Sequence, residues 1–229
     1  MTAVGELVSR FGLPAAAEGQ LTALLRCLAD DEHAPTTIRG PAEAIDVHLA
    51  DSLVALELGE VRTAGRVADL GSGAGFPALP LAAALPVARV AAVESAGRKA
   101  DFIARAAATA GLENVEVVRS RVESWEEGRE AAGLVTARAL GPLPVVLEYA
   151  APLLAPRGSL LVWRGRRDPH EEAAGAAAAA VLGLAPRGVT RVTPYPAARD
   201  RHLHRFEKVG PTPGRFPRRP GMARKRPLA

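Results

Sequence analysis

The sequence predicts an α/β fold: a mostly parallel seven-stranded sheet with helices on both faces and a last antiparallel strand. Three observations carry this reading. Short apolar runs at 66–70, 89–94, 115–118, 134–137 and 158–163 alternate with helical segments, and repeated βα units of this kind close into a parallel sheet. The first run leads into Asp69-Leu70-Gly71-Ser72-Gly73-Ala74-Gly75-Phe76-Pro77, which reads as a buried strand, a tight turn and a helix start. Two further runs, near 187–193 and 201–209, fit a closing hairpin.

The elements follow in order. Residues 3–31 read as helix, with leucines at 21, 24, 25 and 28 on one face and Pro14 suited to a helix start. Residues 33–41 are rich in Pro, Thr and Gly and read as a loop. Helix returns over 42–60, its apolar face formed by Ile45, Leu49, Leu53 and Leu56. His48 and Ser52 lie four apart and share a face there. The core then alternates strand and helix, with helices near 77–85, 97–110, 142–155 and 169–183. The last is alanine-rich, and alanine orders in a helix at little entropic cost. The implied organisation is a helical cap (1–61), a ligand-binding core (62–210) and a basic tail (211–229), packed on the core or extending from it.

In an open α/β sheet the ligand lies beyond the carboxyl ends of the strands. Four such ends carry suggestive residues. Gly71, Gly73 and Gly75 follow the first strand; without Cβ atoms they take positive φ and let a ligand approach the backbone. Glu94 closes the second strand, where a carboxylate accepts from ribose hydroxyls. Val122 and Glu123 follow the third and suit an adenine face and its amino group, although Glu123 equally suits a helix start. Arg138 follows the fourth, where a guanidinium suits a carboxylate, a phosphate or a guanine edge; as a structural residue it would pair with Asp69. A dinucleotide fingerprint needs glycine at position 76, and Phe76 stands there, which disfavours a nicotinamide enzyme without excluding one. A non-enzymatic RNA-binding scaffold is the other alternative. The pattern D-x-G-x-G-x-G from Asp69 to Gly75 resembles motif I of class I methyltransferases, and the loop after the fourth strand lacks the Asn/Asp-Pro-Pro-Tyr/Phe pattern of those that methylate exocyclic amines. A ring nitrogen with a free lone pair needs no base, only alignment.

Composition bounds the rest. Cys27 is the one cysteine. No internal disulfide is then available, nor a multi-cysteine zinc site, and the apolar helical setting of Cys27 suits a core thiol. No signal pattern or membrane-length apolar run is present, so a soluble cytoplasmic protein is expected. The net charge of +4 is uneven. Arg215, Arg218, Arg219, Arg224, Lys225 and Arg226 lie in the tail, and the remainder of the chain is net −2. Such a tail is expected to bind RNA phosphates, and its removal to spare cofactor binding.

Together these residues resemble a known family, the bacterial small-subunit rRNA guanine-N7 methyltransferases (RsmG, or glucose-inhibited division protein B). The resemblance rests on His48-Leu-Ala-Asp-Ser-Leu53, Asp69 to Pro77, Val93-Glu-Ser-Ala-Gly-Arg-Lys99, Ser120-Arg-Val-Glu123, Thr136-Ala-Arg-Ala139 and Pro217 to Leu228. It implies a Rossmann-like class I fold and a monomer dependent on S-adenosyl-L-methionine (SAM). The implied reaction methylates N7 of one guanine of 16S rRNA in the 30S subunit. Gly71, Phe76, Val122, Glu123 and Arg138 would line the SAM site, with Gly73 and Gly75 in its turn and Glu94 as the ribose acid. Arg138 and His48 are the candidate catalytic residues. No metal is implied. Ala34-Pro35-Thr36-Thr37 departs from the family's usual Asn-Leu-Thr, so substrate contacts are not assigned to that loop, with Thr36 the residue that could keep part of the role.

Overall fold

The computed structural model describes residues 2–229. Two helices open the chain, α1 (Ala3–Phe11) and α2 (Ala17–Asp30). The helical stretch expected over 3–31 is thus two helices, with the break beside Pro14, the residue suited to a helix start. Gly12 caps α1 with a left-handed φ of 60° and donates to Ser9 and Val8, a stop that glycine makes cheaply and that Pro14 reinforces.

The segment expected as one helix over 42–60 is also irregular. It runs as α3 (Pro41–Ala44), a π-helical turn (Ile45–Ala50), α4 (Asp51–Leu53) and a 3-10 turn (Val54–Glu57). Extended backbone at Leu58 separates these from α5 (Gly59–Arg62). The π turn is closed by the Asp51 N–H donating to the Asp46 carbonyl.

The sheet then forms as β1 (Arg66–Leu70), β2 (Arg89–Val93), β3 (Val115–Val118), β4 (Ala132–Arg138), β5 (Leu154–Arg164), β6 (Leu184–Arg191) and β7 (His202–Lys208), in the order β3-β2-β1-β4-β5-β7-β6. β1 pairs in parallel with β2 and β4, whereas β7 runs antiparallel to both β5 and β6. The strand order reverses direction at β1 and β4, which places the ligand crevice at their carboxyl ends. The connecting helices are α6 (Ala78–Ala84), α7 (Gly97–Thr109), α8 (Leu143–Ala150) and α9 (Pro169–Leu182).

Two apolar clusters sandwich the sheet. One joins Leu21, Leu24 and Leu28 of α2, Leu49 and Leu53 of the cap, and Leu79 and Ile103 behind β1 and β2. The other packs Val146 and Leu147 of α8 and Leu182 of α9 against Val135 and Leu160. Cys27 is half-buried and packs against the first cluster. The last segment is not merely extended. Phe216 is buried with the second cluster, and a short helix α10 (Met222–Lys225) buries Ala223. No described helix is long and apolar enough to cross a membrane.

Candidate functional site

The site begins at the glycine turn. All three glycines hold positive φ, at 67°, 60° and 88° for Gly71, Gly73 and Gly75. Their surroundings separate their roles. A Cβ on Gly71 would lie 2.6 Å from the Leu140 side chain, and one on Gly75 2.6 Å from Leu79. These two glycines let protein close over the turn. A Cβ on Gly73 would meet nothing nearer than the Gly71 carbonyl at 3.8 Å, so the space beside Gly73 is not filled by the protein.

Glu94 stands against this turn. Its Oε2 accepts from the Gly73 N–H at 3.0 Å and its Oε1 from Ala96 N–H at 2.8 Å. Both oxygens keep a further lone pair for hydroxyl donors. Beneath the turn, buried Asp69 accepts from the Thr136 hydroxyl at 2.8 Å, linking β1 to β4. Burial pushes the Asp69 carboxyl up to about 6, against the lowering effect of Ser72, Thr136 and Arg138.

Val122 and Glu123 lie in a 3-10 turn (Val122–Ser124) after β3, both half-buried. Glu123 Oε1 accepts from the Gly221 N–H at 2.9 Å. Val122, Glu123, Glu94 and the glycine turn thus all follow the ends of neighbouring strands β3, β2 and β1.

Arg138 ends β4, and the next residue, Ala139, has a left-handed φ of 54°. The Arg138 Nη1 donates to the Val47 carbonyl at 3.0 Å and to Asp51 Oδ2 at 2.8 Å. The partner is therefore Asp51 and not Asp69. The π turn delivers Val47 O, and Asp51 follows it as the first residue of α4. Asp51 is itself buried, its Oδ1 3.4 Å from Arg201 and its carbonyl accepting from Trp163 Nε1 at 2.7 Å. Only Nη1 of Arg138 is engaged among the described residues, so its other donors are open to an acceptor.

His48, on the same π turn, stacks on Phe76 with ring centroids 4.6 Å apart and planes 20° apart. Its Nε2 lies 3.0 Å from the Thr36 hydroxyl. Burial first, and the Arg138 charge second, lower its pKa to about 4. The ring is neutral at physiological pH and a poor proton acceptor. Ser52 donates to the His48 carbonyl, holding the turn.

A cleft of about 380 Å³ opens beside Arg138, between the ends of β4 and β5, lined also by Val47, Asp51, Trp163, Arg164 and Arg201. A larger cavity of about 620 Å³ lies at the opposite, amino ends of β1 to β4, near Arg66, Arg89 and Asn114, and contains none of these groups. The smaller one holds Arg138 and Asp51, and neither cavity is lined by the glycine turn, Glu94, Val122 or Glu123.

The structure thus brings together Gly71, Gly73, Gly75, Phe76, Glu94, Val122, Glu123, Arg138 and His48 at one end of the sheet. Asp51, Thr136, Trp163 and Arg201 were not anticipated as site residues. Asp51 had a signal, since it stands within the His48 to Leu53 motif. The tail cations divide. Arg218 is spent on buried Glu148, while Arg215, Arg219, Arg224, Lys225 and Arg226 are exposed. No group of three His, Cys, Asp or Glu side chains placed to hold a metal occurs among the described residues.

This sheet order with a glycine turn, a strand-end acid and a free recess beside Gly73 defines a class I SAM-dependent methyltransferase. Solved methyltransferase structures share the fold. A SAM-dependent methyltransferase from Aquifex aeolicus matches with TM-score 0.56 at 20% identity, covering 72% of this chain and 93% of that one. A 16S rRNA (adenine(1408)-N(1))-methyltransferase mutant from Catenulisporales acidiphilia matches with TM-score 0.55 at 20% identity, covering 66% and 88%. The family follows from sequence: the rRNA small subunit methyltransferase G (GidB) family model matches residues 20–203, and the chain belongs to this family. Ribosomal RNA small subunit methyltransferase G of Rubrobacter xylanophilus is 43% identical over 83% of this chain and 75% of its own. The protein of that name from Chloroflexus aggregans is 40% identical over 84% and 82%. The chain is accordingly a SAM-dependent rRNA methyltransferase.

Proposed function

We propose that the protein methylates N7 of a single guanine in 16S rRNA of the 30S subunit, acting as a cytoplasmic monomer. The observation that carries the reading is the placement beside the glycine turn of Arg138, with donors left over from Asp51 and Val47, and of the His48–Phe76 stack. A guanidinium with unspent donors is suited to hold a nucleotide, through a phosphate or guanine O6. A ring whose pKa lies near 4 is suited to pack, not to take protons. That combination serves a nucleophile whose lone pair is already free.

SAM supplies an electrophilic sulfonium methyl when bound. The chain's own residues fit it as follows. Gly73 leaves room for it, and Glu94 offers two carboxylate oxygens for ribose hydroxyls. Val122 and Glu123 supply an apolar contact and an acceptor for the adenine end. Phe76, fixed by its stack on His48, closes the site at the glycine turn. Arg138, fixed by Asp51 and Val47, faces the cleft that would admit the guanosine. Catalysis then rests mainly on alignment and loss of water, terms worth up to about 7–11 kcal/mol in well-oriented reactions. The exposed tail cations add sequence-independent attraction for rRNA phosphates.

The test is methyl transfer from labelled SAM to 30S particles lacking the modification, and to naked 16S rRNA, with the product nucleoside identified. 7-Methylguanosine at one site supports the reading. Another methylated nucleoside would keep the cofactor and overturn the acceptor atom.

A further inference from the structure

The C-terminal segment is expected to bind RNA phosphates, packed on the core or extending from it, and its removal to spare the cofactor. In the structure it packs on the core. Arg218 Nε and Nη2 grip the two oxygens of Glu148 at 2.8 and 2.5 Å, and Glu148, on α8, is only 1% exposed. The Arg218 Nη2 also donates to the Arg226 carbonyl at 2.8 Å, closing residues 218–226 into a loop around one guanidinium. A buried carboxylate without its partner is costly, so this bolt fixes the segment to the body. Phe216 and Ala223, both nearly inaccessible, seal it on the apolar side.

From that anchor the segment reaches two loops at the carboxyl ends of the strands. The Gly221 N–H donates to Glu123 Oε1, after β3. The Arg224 Nη2 donates to the Leu140 carbonyl at 2.9 Å, after β4. Leu140 is the residue whose side chain fills the place of a Gly71 Cβ. Tyr149 of α8 lies between the two contacts. Burial, and then the Glu123 charge, hold its phenol above the ordinary value, while Arg224 opposes the rise. The segment therefore bridges the residues that flank the glycine turn on both sides.

We propose that residues 217–226 form a structural strap that completes the wall of the SAM site, with Arg218 anchoring it on Glu148 and Gly221 and Arg224 as positioning residues acting through Glu123 and Leu140. The inference rests on the reading that Glu123 and Gly71 border the SAM pocket. It departs from a tail that binds RNA and leaves the cofactor alone. Because coupling between sites is reciprocal, SAM must tighten the strap by the factor with which the strap tightens SAM.

The experiment uses the full chain and S-adenosyl-L-homocysteine, whose affinity is measured by calorimetry for the natural protein, Arg218→Gln, Arg218→Lys and Gly73→Val. Backbone hydrogen exchange across 217–226 is followed in the natural protein with and without that ligand. Arg218→Gln is expected to weaken binding about tenfold, within the usual range of coupling, and Arg218→Lys to recover part of it. The KM for SAM should rise similarly, with kcat at saturating SAM within about twofold. Ligand should slow exchange at Gly221 and Met222. If Arg218→Gln does not fold, the exchange result alone decides. Natural affinity in Arg218→Gln, or strap exchange untouched by ligand, overturns the strap while loss of binding in Gly73→Val leaves the pocket reading standing. Unchanged binding in folded Gly73→Val overturns the pocket and the strap together.

Discussion

Replacing His48 with phenylalanine isolates what the imidazole contributes. The change keeps a ring to stack on Phe76 and removes the titration. The folded pKa is about 4, against an ordinary value of 6.5. Because the folded value is depressed, the unfolded chain binds more protons between these limits. His48 therefore stabilises fully above pH 6.5, and that stability is lost as pH falls toward 4. Integrating the linkage from about pH 7.5 to pH 5 gives a loss of about 2 kcal/mol in the natural protein and none in the variant. Against this, the variant loses the Nε2 contact to Thr36 at every pH, a cost of about 1 kcal/mol. The variant should thus be the weaker protein at pH 7.5 and the stronger by about 1 kcal/mol at pH 5. Asp69 also titrates near this window, but it is present in both proteins and cancels in the difference. Urea denaturation at matched pH measures the quantity directly. A stability difference that does not change between pH 5 and 7.5 would refute the neutral, buried imidazole. Methyl transfer supplies a second check: a packing role leaves kcat within about tenfold, whereas a loss of a hundredfold or more would return His48 to proton transfer.

Other outcomes follow from the same geometry. Asp51→Ala leaves Arg138, largely buried, facing a lost carboxylate, and should destabilise by about 3–5 kcal/mol; Asp51→Asn keeps an acceptor and should cost less. A double-mutant cycle of Asp51→Asn with Arg138→Gln should show coupling above about 0.5 kcal/mol, and strict additivity would deny the clamp. Gly73→Val should abolish SAM binding, since it fills the recess and burdens a φ of 60° with a branched side chain; equilibrium binding to the folded variant decides. Changing exposed Arg219, Lys225 and Arg226 together to glutamine should lower the slope of log affinity for rRNA against log salt by roughly 2–3 units. An unchanged slope would remove those three side chains from the RNA contact.

Much of this was legible because the signals were local. The βα alternation and the glycine turn need only a few neighbouring residues to be read, and the sheet follows from them. The strand-end placement of Glu94, Glu123 and Arg138 came with the topology. What escaped was nonlocal or subtle. The break at Gly12 is signalled only by Pro14, inside an apolar pattern that runs on past it. The π turn hides because Ile45, Leu49 and Leu53 keep a spacing that α-helix also satisfies. Arg138 was offered Asp69, the nearest acid along the sheet, and Thr136 took that place instead. Asp51 could not be assigned, because the guanidinium it meets stands 87 residues away in sequence. In the tail a run of cations reads as a phosphate-binding surface. Nothing local shows that Arg218 owes its place to Glu148 on another helix.

Both ends of the chain thus converge on one end of the sheet, and the convergence has a physical logic. The parallel strands supply a rigid edge but few side chains that point along the strand axis, where the ligand must lie. From one side the π turn brings in His48 and Asp51. A π turn admits an extra residue, which re-aims the side chains beyond it without breaking the helix. From the other side the strap brings a backbone donor to Glu123. Each contribution is pinned by a buried ion pair, Arg138 with Asp51 and Arg218 with Glu148. Such pairs add little net stability relative to apolar packing, yet losing one partner is expensive. They therefore suit positions where geometry matters more than stability. The glycine turn gives the site its space; the two ion pairs hold its walls.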